Sequence, residues 1–173
     1  VIGRTTIRTA TPEDLAGVAR VFAHYVAESV STFEEVPPTV DTWRRRLDDL
    51  AERGLPFLVA DAGGDVIGFA YAGPWRPKPA YRHTVENTVY LAPDWTGKGL
   101  GRALLDTLLA ACADAGVRQV IAVIADTGDE ASVALHRSAG FAHAGRLAAV
   151  GFKHGRWVDT ALMQRELTGP PSA

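Results

Sequence analysis

The chain has 173 residues, of which 47% are hydrophobic and 22% charged. These ordinary globular proportions argue against both disorder and a membrane-embedded protein. At this length one domain, 1–173, can bury about 70% of the surface its unfolded chain exposes. A formal charge of −2 leaves no basic footprint for nucleic acid, and a single cysteine rules out a disulfide framework or a zinc site built from cysteines, so no metal is expected.

No stretch approaches the roughly 18 apolar residues of a membrane span, and VIGRTTIRTA carries no signal-like apolar region. The expectation is a cytoplasmic protein with no membrane partner. Thr5 to Ala10 reads as a first strand. Thr11-Pro12-Glu13-Asp14 then has the cap, early proline and acids of a helix start. That helix should run to Glu28 with Leu15, Val18, Ala19, Phe22, Tyr25 and Val26 inward, His24 being a surface or hydrogen-bonded residue and not a ligand. A Ser/Thr-rich loop, Ser29 to Pro38, leads to a second helix marked by Val40, Trp43, Leu47 and Leu50 and ended by Gly54. Its Arg44-Arg45-Arg46 run, near Asp48, Asp49 and Glu52, reads as a solvated helix face. Pro56 to Asp61 and Val66 to Ala72 form a predicted hairpin turning at Gly63-Gly64-Asp65.

After a Pro-rich aromatic loop, Gly73 to His83, comes the most informative stretch. Thr84 to Leu91 is rich in β-branched and aromatic residues and reads as a strand. Pro93 stops it, a glycine turn follows at Thr96 to Gly101, and Leu100, Leu104, Leu108 and Cys112 recur at helical spacing up to Gly116. A glycine turn at a helix N-terminus presents main-chain N–H groups and the positive end of the dipole to an anion. Val120 to Ile124 has the continuous apolar character of a strand buried on both faces and can lie parallel to the Glu86 strand, the intervening helix being the crossover. Asp129 to Ser138 is a short helix closed by Gly140. Strands at about Ala144–Phe152 and Trp157–Leu167 meet through Lys153-His154-Gly155-Arg156, and 168–173 is an expected disordered tail.

Glu86 lies in an otherwise apolar strand, where desolvation should raise its pKa toward that of a working base. From position alone it could equally face solvent; the glycine turn just downstream favours the base. The pattern Gly97-Lys98-Gly99-Leu100-Gly101 resembles the central motif of the GNAT superfamily of acyl-CoA-dependent N-acyltransferases, although Thr96 stands where Gln or Arg is usual. HTVENTVYLAP, the SVALH-x-x-x-GF helix and GFKHGRWVD (Gly151 to Asp159) look like the phosphinothricin N-acetyltransferase branch.

The resemblance implies an α/β (mixed α+β) fold. Its central twisted, mostly antiparallel sheet would have six to seven strands, a parallel splayed pair at the acyl-CoA site and about four flanking helices. It implies acetyl-CoA as co-substrate, held by Val89, Tyr90 and Leu91, by Gly97, Lys98, Gly99, Leu100, Gly101 and Arg102, and by Asp129 and Ser132. It makes Glu86 the general base, acting directly or through water, and His136 a candidate acid for the leaving thiolate. It also implies an acceptor pocket built from Phe33, Lys78, Tyr81 and Arg82, and a homodimer. The implied reaction is direct ternary-complex acetylation of the α-amino group of a small amino acid or analogue. The acceptor is left open between phosphinothricin, methionine sulfone or sulfoximine, and plain amino acids. Two competing classes are a non-catalytic acyl-CoA sensor and a dinucleotide-binding domain; the latter should carry its glycine motif after the first strand. Lys153, His154, Trp157 and Asp159 are open between shaping the acceptor site and a dimer contact.

Overall fold

The computed structural model describes residues 4–167, so the expected tail, 168–173, lies outside the described residues. Seven strands form one sheet: β1 (Thr5–Thr9), β2 (Phe57–Ala62), β3 (Asp65–Pro74), β4 (Thr84–Leu91), β5 (Gln119–Ala125), β6 (Ala142–Lys153) and β7 (Arg156–Glu166). Four helices flank it: α1 (Leu15–Glu28), α2 (Val40–Glu52), α3 (Leu100–Asp114) and α4 (Ala131–Ser138). The order across the sheet is β1-β2-β3-β4-β5-β7-β6, antiparallel everywhere except between β4 and β5. The expected mixed α/β architecture is therefore present.

Period-two alternation along β3 divides the core into two layers. Ala70 and Ala72 face Leu104, Leu105, Leu108 and Cys112 of α3, while Phe69 faces Phe22 of α1 and Trp43 of α2. Burying each such Leu or Phe contributes about 1.5–3 kcal/mol. The chain entering α1 makes a 3-10 turn, Pro12–Asp14, before the α-helix proper. There the Asp14 carboxylate accepts from Thr11 N–H (2.8 Å) and receives a two-point bond from Arg8 at 2.7 and 2.8 Å. Arg8 also reaches Asp61 (2.9 Å), tying β1, β2 and the α1 entry together.

Two expectations need correction. The strand at Val120–Ile124 is not buried on both faces: Val123 is 37% exposed, because its side of β5 looks into the opening left where β4 departs. Nor is the arginine run a uniformly solvated face. Arg44 is exposed and near Asp48, but Arg46 is half-buried, with its guanidinium over the rings of Trp43 (5.0 Å) and Tyr71 (5.3 Å). Among the described residues no helix is long and apolar enough to cross a membrane.

Candidate active site

β4 and β5 pair only from Thr84↔Gln119 to Glu86↔Ile121 and then separate. Ala72 N–H bonds the carbonyl of Pro56, just before β2, so the main-chain groups of Ala72 face away from β4, and those of its partner Asn87 face away from β3. By the same alternation the peptide groups of Val89 and Leu91 point into the gap. Tyr90 departs from expectation. Its main chain belongs to the β3 ladder, and it reaches the site only through its ring, whose hydroxyl donates to Ser31 O (3.1 Å). The Leu91 carbonyl accepts from the Tyr25 hydroxyl at 2.5 Å.

The gap opens into a cavity of about 820 Å³. At one end lie Gly97 (φ 72°) and Gly99 (φ 83°), in the left-handed region that favours glycine, with open space where a Cβ would be. Gly99 is the N-cap of α3, and the first main-chain bond back to it comes from Ala103. The N–H groups of Leu100, Gly101 and Arg102 therefore have no intrahelical acceptor and sit at the positive end of a 15-residue helix. Thr96, Arg102, Asp129 and Ser132 line this cavity as well. Arg102 bonds Asp106 and Ser138 O (both 2.8 Å), and Asp129 caps the start of α4 by accepting from Ala131 N–H (2.9 Å). Two expected cofactor residues contribute differently. The Lys98 ammonium lies over the Trp95 ring (5.2 Å) outside the cavity lining, and the Leu100 side chain packs into the core, leaving only its main chain for a ligand.

Glu86 stands half-buried on the cavity wall, and burial raises its carboxyl above the usual range against the opposing charge of Arg76. Among the described residues its carboxylate has no hydrogen-bond or ion-pair partner within the chain, as a base awaiting a proton requires. His136 does not fit the acid role. Its Nδ1 lies 2.8 Å from Ser132 O, which only accepts, so Nδ1 carries the proton; Nε2, 2.9 Å from Asn87 Nδ2, must then accept. Burial also lowers its pKa, so the ring is neutral, with both nitrogens engaged and no proton free for a thiolate. Asn87 Oδ1, Thr160 Oγ1 and Ser31 Oγ are buried without partners, and all three residues line the large cavity. The Cys112 thiol, on the buried face of α3, is pushed up to about 12, so it is no nucleophile.

A second cavity of about 240 Å³ shares Thr32, Glu86, Thr88 and Tyr90 with the first and adds Glu34, Arg46 and Tyr71. Phe33, expected as a wall of the acceptor pocket, lines the large cavity and not the small one. Lys78, Tyr81 and Arg82 do not line either one; they lie on the exposed loop around the 3-10 turn Pro79–Tyr81. Their nearness to Glu86 in sequence is undone by that loop, which runs beyond the end of the β3–β4 ladder.

The Gly151–Asp159 motif acquires roles. Gly151 has no Cβ because the Phe33 ring occupies that space. The Lys153 ammonium, on a residue only 3% exposed, donates to Ser29 O (2.7 Å) and Thr32 O (2.9 Å) on the cavity's loop wall. Burial draws that ammonium below the usual lysine range, partly opposed by Glu35 and Glu34. Asp159 accepts from Ala149 N–H (2.7 Å) at the bulge of β6 and from Arg146 (2.6 Å). Sequence reasoning missed Lys153 as a loop clamp, and Arg46 and Tyr71 as cavity walls. For Lys153 the available signal was a lysine inside an aromatic, glycine-bounded strand end; for Arg46 it was an arginine three residues after an inward tryptophan.

Comparison with known proteins agrees with this geometry. A family profile described as an acetyltransferase (GNAT) domain matches residues 7–162. The chain is 48% identical over 162 residues to a phosphinothricin N-acetyltransferase of Alcaligenes faecalis, covering 94% of this chain and 82% of that one. It is 38% identical to an L-methionine sulfoximine/L-methionine sulfone acetyltransferase of Pseudomonas aeruginosa, covering 97% and 98% of the two chains. The crystal structure of a phosphinothricin acetyltransferase from Sinorhizobium meliloti in complex with acetyl-CoA superposes with a TM-score of 0.91 at 43% identity, over 98% and 92% of the chains.

Proposed function

The chain belongs to the GNAT acetyltransferase family, an N-acetyltransferase with acetyl-CoA as co-substrate, and from that premise we propose that it acetylates the α-amino group of a small amino-acid analogue of the phosphinothricin or methionine sulfone type. The observation that carries this reading is the position of Glu86. It is a partnerless, half-buried carboxylate on the wall shared by a large cavity fit for the co-substrate and a small one fit for an amino acid.

The residues present fit acetyl-CoA. The cradle at Gly97 and Gly99 is open, the α3 N-terminus offers N–H groups to phosphates, and the orphaned Asn87 Oδ1 and Thr160 Oγ1 await donors such as the pantetheine amides. When bound, acetyl-CoA supplies an activated acetyl thioester. In the reaction Glu86 takes a proton from the acceptor ammonium, a task favoured by the upward shift that burial gives its carboxyl. The N–H groups of Val89 and Leu91, aimed into the gap, supply donors where negative charge grows on the acyl oxygen. His136 acts through Asn87, whose amide it fixes at the wall. Transfer is direct, in a ternary complex, a reading supported by the single cysteine, whose buried, raised thiol lies outside the cavity lining. We also propose a homodimer formed through β6 and β7, where the Phe152 and Trp157 rings, in tilted contact at 5.0 Å, are 55% and 69% exposed beside Val150 and Leu147, in a cytoplasmic protein.

The test is CoA release from acetyl-CoA with L-phosphinothricin, L-methionine sulfone, L-methionine sulfoximine and common amino acids at matched concentrations, ranked by kcat/KM. One of the three analogues should lead. A lead by an ordinary amino acid, or no turnover with any acceptor, refutes the assigned acceptor class.

A further inference from the structure

We propose that the guanidinium of Arg46, set by Tyr71 in the small cavity, binds the α-carboxylate of the acceptor and makes the enzyme selective for amino acids over simple amines. This deepens the proposed acceptor class and rests on it.

Arg46 lies on α2, yet it is turned from solvent toward the sheet. Its Nη1 donates to the Tyr71 hydroxyl at 2.9 Å, and its plane lies against the Trp43 and Tyr71 rings. The acids nearest it in sequence are engaged elsewhere, Asp48 by Arg44 at 3.7 Å and Asp49 by Arg53 at 2.9 Å. Among the described residues no carboxylate lies within ion-pair distance of Arg46. An arginine held by two aromatic rings and a hydroxyl, with most of its five donors unused, is pre-organised for a planar anion. It lines the cavity whose wall includes Glu86.

The sheet sets the two groups at a useful spacing. Glu86 pairs with Gly73 and Thr88 with Tyr71, so Glu86 and Tyr71 are diagonal neighbours on the same face, about 7–8 Å apart at their backbones. The cavity therefore has an anionic end at Glu86 and a cationic end at Arg46. A zwitterion placed with its ammonium at Glu86 and its carboxylate toward Arg46 meets both. The volume, about 240 Å³, equals about eight waters, room for a small amino acid. Lys78 and Arg82, the cations expected to fill this role, lie outside both cavities. Glu34 shares the wall and disfavours a second anion, which adds selection for a net-neutral main chain.

The experiment compares kcat/KM for L-methionine sulfone with that for 3-(methylsulfonyl)propylamine, the same molecule without its carboxylate, in the wild type, Arg46→Lys and Arg46→Met. A ratio taken within one protein is insensitive to the fraction folded. Charge-assisted hydrogen bonds of this kind predict a wild-type ratio of about 10–150-fold in favour of the amino acid. The ratio should fall toward about 1 in Arg46→Met and lie between in Arg46→Lys, which keeps the charge and loses the fork. An undiminished ratio in Arg46→Met, or no preference in the wild type, overturns the assignment while leaving the acetyltransferase reading intact. Absence of turnover on the sulfone with turnover on an ordinary amino acid overturns the acceptor class, and the same ratio is then read on that amino acid and its decarboxylated amine.

Discussion

Replacing Lys153 by Met keeps most of the buried methylene stem and removes only the ammonium that spans from the β6–β7 turn to the loop after α1. In the wild type that ammonium makes two good bonds, to Ser29 O and Thr32 O, and a long one of 3.4 Å to Tyr25 O. A hydrogen bond to a charged group contributes a net of about 1.5–3 kcal/mol. Removing the ammonium also removes the cost of keeping a charge buried, so the loss should lie at the low end, about 2 kcal/mol. For a chain of this size that corresponds to a fall in Tm of about 4–8 °C. The loss is not spread evenly, because the released segment carries Thr32 and Glu34 on the wall of the small acceptor cavity. Calorimetry should therefore be paired with steady-state kinetics. Acceptor KM should rise about 10-fold, equivalent to 1.4 kcal/mol, while acetyl-CoA KM moves much less, since none of the clamp's bonds reaches the glycine turn or α3. A Tm within about 1 °C of wild type, or equal rises in both KM values, would refute the clamp.

Glu86→Gln should bind acetyl-CoA with wild-type affinity in calorimetric titration but lose about 10²–10⁴-fold in kcat. In the wild type the acid limb of kcat/KM should fall at a pH above the ordinary carboxylate value of 4.5, and that limb should vanish in the variant; a retained limb would assign it to another group. Gly151→Ala places a methyl group against the Phe33 ring on the wall of the large cavity, so at least one KM should rise several-fold while Tm changes little, and unchanged kinetics would show that Phe33 can move away freely. Arg8 holds the Asp14 carboxyl below its usual 3.8. Because the folded pKa is depressed, the stabilisation is complete above about pH 4 and is lost as pH falls through the folded value. Asp14→Asn should therefore cost about 1–2 kcal/mol in urea unfolding at pH 7 and progressively less toward pH 2, and a pH-independent difference would contradict this.

What was legible in the sequence was local. Strand, glycine turn and helix follow one another from Thr84 to Asp114 with alternating and then 3.6-residue periodicity, so Glu86, Gly97, Gly99 and Gly101 could be placed before any contact was known. Arg46, Lys153 and His136 were misread or left open because their meaning depends on partners far along the chain. Arg46 meets Tyr71 25 residues on, Lys153 meets Thr32 121 residues back, and His136 meets Asn87 at a separation of 49. An arginine triplet beside acids looks like a helix surface until a ring from β3 is known to lie beneath one member. Lys78, Tyr81 and Arg82 illustrate the opposite error, in which adjacency in sequence suggested convergence and the loop geometry kept them apart.

The three paired positions that join β4 to β5 leave most of this seam of the sheet without main-chain partners. A pantetheine arm seated there behaves as a borrowed strand, completing hydrogen bonds that the polypeptide leaves open. The arm is common to donor and product, so spent CoA should compete with fresh acetyl-CoA for the same opening. Product inhibition is thus written into the same opening that admits the donor, and turnover in the cell will follow the ratio of acetylated to free carrier as well as the supply of acceptor.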